Sequence, residues 1–140
     1  MINNTYTSEV QNLASLAQQI KPSVEPNRSV LVSEYLRKLN ELMDKGWLYA
    51  LGKNDEIEQS LLPERYVNQR NKVIDDLQIE LGQLAGNYRA SAVGSKKEIL
   101  DYHETFAELL RINGKVVGLD PDSELPDEDM PKVYVDYWKV

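Results

Sequence analysis

Cysteine is absent from the 140-residue chain, and histidine occurs once, at position 103. The first absence excludes a disulfide framework, a thiolate zinc site and a cysteine nucleophile together. The second leaves little material for imidazole chemistry. No apolar run approaches the ~20 residues of a membrane span, and a mean hydropathy of -0.51 excludes an integral membrane protein. The first 20 residues show neither a basic start nor a continuous apolar stretch, so a cytoplasmic location is expected. The seven glycines are scattered without a phosphate-cradling spacing. Lys96-Lys97 and Arg65/Arg70 are the nearest approach to a basic cluster, so no nucleic-acid partner is expected. No internal repeat or low-complexity stretch is apparent.

What is present is acid, unevenly spread. Sixteen Lys and Arg against 23 Asp and Glu give a net charge of -7. Residues Gly118 to Pro131 hold six of those acids, Asp120, Asp122, Glu124, Asp127, Glu128 and Asp129, and no base. The remaining 17 acids and 16 bases leave the body close to neutral.

Apolar periodicity predicts four main helices. The first runs from Thr7 or Ser8 to Ile20 with a stripe of Val10, Leu13, Ala17 and Ile20, small enough to suggest a peripheral helix. A two-proline linker over residues 21–27 follows. The second spans Ser29 to Lys45, with Val32, Tyr35, Leu36, Leu39, Leu42 and Met43 on one face and Gly46 as its stop. The apolar segment Trp47 to Leu51 reads as a connector or a further helical turn, and Asn54 or Asp55 as the cap of a short helix through Leu62. Pro63 suits the first turn of the longest helix, which carries a heptad seam of Val67, Ile74, Leu77, Leu81, Leu84 and Tyr88 broken by Arg70. Such a seam permits a homodimer. Gly82 and Gly86 near its end predict either fraying or a close backbone approach. Ser95 and Glu98 match a capping box for the fourth helix, which stops at Gly114. Helices three and four are expected to form a central hairpin, with helix two laid on them.

After Gly114 the grammar changes. Lys115 to Leu119 suits a short strand or an anchor. Three prolines interrupt the acidic stretch, and the alternating apolar residues of Lys132 to Val140 suit an extended segment. The expected fold is therefore an all-α, up-and-down bundle over residues 1–117. An extended, acidic and aromatic-ended arm over 118–140 would belong to the same domain, docked on the bundle or on a partner subunit.

Candidate chemistry is sparse. His103 has Ile99 and Ala107 at four-residue spacing, so it has no local carboxylate to orient it. Asp76 and Glu80 on helix three, with Asp101 and Glu104 on helix four, could hold a divalent metal between antiparallel helices. The Glu-x-x-His pairs of bundle metal sites do not occur. An EF-hand register from Asp120 would place Leu125 where glycine is required and Pro131 where Glu is required. The tail carries more information, because Tyr134, Tyr137 and Trp138 left free in water would form an aggregation-prone stretch. They must cover a groove of their own chain or anchor a partner.

The expectation is thus a non-catalytic protein–protein interaction protein: an adaptor, assembly factor, inhibitor or regulatory subunit. The six acids of the arm, with Tyr134, Tyr137 and Trp138, would contact another protein or a second copy of the chain. No cofactor and no membrane partner is implied. The alternative is a small enzyme using metal held by the carboxylates of helices three and four.

Overall fold

The computed structural model describes the backbone of residues 4–46, 50–91 and 96–138, and the side chains of these except residues 4–7 and Tyr137. The described residues form five α-helices and no strand: α1 (Asn4–Ile20), α2 (Asn27–Asp44), α3 (Glu64–Ala90), α4 (Lys96–Asn113) and α5 (Lys132–Trp138). The protein is all-α. It divides into two compact units, Met1–Asn71 and Lys72–Val140, with the boundary inside α3.

In the first unit, Leu13, Ala17 and Ile20 of α1 are buried against Tyr35, Leu39 and Leu42 of α2, together with Leu51, Ile57, Leu62 and Tyr66. The helix expected at the periphery is therefore central: Ala17 adds no bulk, which permits close packing of α1 on α2. It also starts earlier than its expected cap, with Thr7 inside the helix. Pro26 stands at the N-cap of α2 without a side-chain bond, and the carboxylate of Glu25 accepts the orphan N–H of Ser29 at 2.8 Å instead. α2 ends as expected at Gly46, whose φ of +87° is cheap only for glycine.

The short helix expected over Asn54–Leu62 is replaced by two 3-10 turns, Lys53–Asp55 and Gln59–Leu61, with Glu56 extended between them. The reason is a buried clasp. Glu56 is 6% exposed, and its carboxylate accepts from the Tyr66 hydroxyl at 2.8 Å and from Arg70 at 2.7 Å. The Tyr66 oxygen in turn accepts the backbone N–H of Leu51 at 2.8 Å. A continuous helix would not point Glu56 inward at both partners.

The second unit has its own core: Leu81 and Ala85 of α3, Tyr102, Phe106 and Leu109 of α4, then Val116, Leu125, Met130 and Tyr134. The buried face of α2 thus lies in one core and that of α4 in the other, in place of a single core with α2 laid on a hairpin. Residues 115–119 are irregular, so the strand considered there does not form. Beyond them come 3-10 turns at Pro121–Ser123 and Asp127–Asp129. The final segment is helical where its alternation suggested an extended chain. Pro131 opens α5, donating no N–H where none is needed, and its carbonyl accepts from Tyr134 and Val135. Pro131 and Tyr134 are buried while Val133 is half exposed, a helical and not an alternating pattern. Ser95 and the residues 47–49 of the expected connector lie outside the described residues.

The two units are built alike, so the chain does contain an internal repeat. Leu13-x-x-Leu16-Ala17 of α1 recurs 68 residues later as Leu81-x-x-Leu84-Ala85 of α3. Ser23 closes the end of α1 by donating to the Ile20 carbonyl at 2.6 Å, and Ser91 closes α3 on the Tyr88 carbonyl at 2.7 Å. Gly46 and Gly114, with φ of +87° and +81°, end α2 and α4. Tyr35 donates to the Asp55 carbonyl at 2.8 Å, as Tyr102 does to the Ser123 carbonyl at 2.5 Å. The tyrosine part of the clasp returns: Tyr134 donates to Glu124 at 2.7 Å and accepts the N–H of Leu119 at 3.2 Å, while Trp138 stands where the first unit has Arg70. Pro63 and Pro131 occupy the same place before the helix that carries the clasp tyrosine. Repetition of buried and bonded positions, with the surface changed between copies, is what hides the period from inspection of the letters.

Candidate partner-binding site

The acids of the arm divide by role. Glu124 is half-buried and serves the clasp with Tyr134. Asp129 is half-buried as well: its carboxylate accepts from the Tyr88 hydroxyl at 2.5 Å, which raises that phenol's pKa. Its carbonyl lies 2.7 Å from His103 Nε2. A carbonyl can only accept, so His103 carries its proton on Nε2 and pins the arm. Asp120, Asp122, Asp127 and Glu128 are exposed.

The aromatic residues divide too. Tyr134 is 1% exposed and meets Phe106 edge-to-face at 5.9 Å, so it belongs to the core and is not open to a partner. Burial pushes its hydroxyl up to about 12, assisted by the bond to Glu124. Trp138 is half exposed, with its indole against Gly118: a β-carbon there would stand 3.6 Å from Cη2. That is an ordinary van der Waals contact; glycine is favoured at 118 by its φ of +65°. The Tyr137 side chain lies outside the described residues.

Beside Trp138 runs an open groove of about 620 Å³ between α3 and the segment 117–123. Ile79, Val117 and Leu119 supply its apolar surface, and Asp75 and Asp120 its charge. Ile79 is 60% exposed, a large aliphatic residue left in water. Gly82 explains the close approach expected of it, since a β-carbon there would stand 3.1 Å from Ser123 Oγ. Gly86 has open space instead. The groove was not legible as a site, because Ile79 reads in the sequence as one more apolar position on a helix.

The carboxylates proposed for a metal do not converge. Asp76 pairs with Lys72 at 3.2 Å and Asp101 with Lys97 at 2.9 Å, each along its own exposed helix face, and Glu80 and Glu104 are exposed. Among the described residues no group of three His, Asp or Glu side chains is placed to hold a metal ion. Nor is Arg70 a polar break in an open dimer seam: its guanidinium is buried in its own unit on Glu56 and on Gln59 at 2.8 Å. A cleft of about 340 Å³ in the first unit is lined by Lys21, Arg28 and Lys53. Lys21 and Arg28 already donate to the carbonyls of Asn54 and Ile20. No helix among the described residues is long and apolar enough to cross a membrane. Compared with known proteins, the chain matches no family model, no curated protein and no solved structure.

Proposed function

We propose that the chain is a non-catalytic interaction protein of the cytoplasm, an adaptor, assembly factor, inhibitor or regulatory subunit, whose second unit recognises a basic surface of another protein. One observation carries this: the first unit serves as an internal control for the second. Where the second unit has Asp120, Asp122, Asp127, Glu128 and Asp129, the first has Gly52, Asn54, Gln59, Ser60 and Leu61 in matching turns. The net charge over residues 52–61 is -2, and over 120–129 it is -6. The same turns form in the first unit without Asp120, Asp122, Asp127 and Glu128, so folding does not require these four, whereas Asp129 has its own bond to Tyr88. Packing like charges together costs free energy, and a basic partner offsets that cost while the field speeds encounter.

Deleting the arm is a poor test, since Leu125, Met130 and Tyr134 are core residues. The informative variant copies the first unit's residues, Asp122→Asn with Asp127→Gln and Glu128→Ser. Affinity capture from native lysate should retain basic proteins on the wild type and release them from this variant, with binding weakened by salt. A folded variant that captures the same proteins equally well removes the acids from the account.

A further inference from the structure

The groove of the second unit joins three features that the first unit does not share. Ile79, exposed, stands where α1 carries Gln11, also exposed. Asp120 on the rim stands where the first unit has Gly52. Trp138, half exposed, stands where the first unit buries Arg70. Ile79 and Asp120 are not needed to build the unit, because its twin folds with a glutamine and a glycine in their places. An aliphatic side chain and an indole held in water are unfavourable by themselves; Ile79 lines the cleft, and the Trp138 ring lies against Gly118 of its wall. Among the described residues no Lys or Arg lines that cleft, whereas Asp75 and Asp120 do.

We infer that this groove seats a basic segment of a partner protein, with an aliphatic side chain of the segment against Ile79 and Trp138 and flanking Lys or Arg residues facing Asp75 and Asp120. The inference rests on the interaction reading above and locates it. Charge complementarity selects the occupant: a neutral apolar segment would leave Asp75 and Asp120 facing greasy surface, and an acidic one would be repelled.

The test uses the full chain and two fluorescein-labelled oligopeptides of equal charge, one alternating lysine with leucine and one alternating lysine with serine, read by fluorescence anisotropy. The lysine–leucine peptide should bind about tenfold more tightly, the scale of burying one aliphatic side chain. Ile79→Gln, which copies the twin unit, should erase that preference, and Asp120→Gly should weaken both peptides alike. Equal binding of the two peptides, weakened only by the Asp122→Asn, Asp127→Gln, Glu128→Ser variant, would overturn the groove and leave the acidic reading standing. Binding of neither peptide at low salt would overturn both. A dimer in sedimentation that Ile79→Gln converts to monomer would seat a second copy in the groove and overturn the assignment to a basic partner. Circular dichroism of Ile79→Gln separates these outcomes from misfolding.

Discussion

Arg70→Leu is the perturbation whose size follows most directly from the geometry. The Arg70 and Glu56 side chains are 7% and 3% exposed, and their heads lie 2.7 Å apart. Leucine removes the guanidinium's bonds to Glu56 and Gln59, and leaves the Tyr66 hydroxyl as a remaining donor on the carboxylate. A buried ion stripped of its counter-charge costs about 3–5 kcal/mol, more than the pair contributes net when intact. Glu56→Gln in the same chain replaces the orphaned charge by a neutral amide and should recover a large part of that loss. Urea unfolding followed by circular dichroism measures both, and hydrogen exchange reads the protection of residues 50–71 directly. A single-variant cost below about 1 kcal/mol, or a double variant no better than the single, would mean that water reaches the pair and that the clasp is not the buried network described.

The twin clasps make a matched experiment. Tyr66→Phe and Tyr134→Phe each remove one donor to a carboxylate and one acceptor of a backbone N–H, and each should cost about 2–4 kcal/mol. A negligible cost at Tyr134 beside a large one at Tyr66 would show that the second clasp does not bear on stability. Alkaline pH acts on the same groups. Burial raises the pKa of Tyr35, Tyr66 and Tyr102 strongly, and that of Tyr134 to about 12. Because these folded values lie above the unfolded value of about 10, the stability they contribute is complete below pH ~10 and is lost as pH rises toward the folded values. The unfolding free energy from urea titrations should fall steeply over that window, by about 1.4 kcal/mol per pH unit for each phenol that stays neutral only when folded. Tyrosinate absorbance of the folded protein in which all eight tyrosines titrate at the ordinary value would contradict it.

The sequence by itself determined the helical class, because 3.6-residue apolar spacing needs no tertiary information to be seen. It also determined most helix ends: Gly46 and Gly114 are legible stops, and Pro63 a legible start, since each acts through its own backbone. The six acids of the arm were legible as a cluster for the same reason.

Only tertiary structure decided which of those residues are internal. Glu124, Asp129 and Tyr134 look like the exposed acids and aromatics around them until Tyr88, His103, Phe106 and Leu119 close on them. The helical state of residues 132–138 was equally hidden, because a seven-residue segment has too little periodicity to choose, and burial of Tyr134 chooses for it. The doubled architecture was hidden most thoroughly. It resides in hydrogen bonds between residues far apart in the chain, and free variation at exposed positions has left few identical residues in common register, among them leucines, an alanine, a serine, a glycine, a glutamate, a proline and a tyrosine.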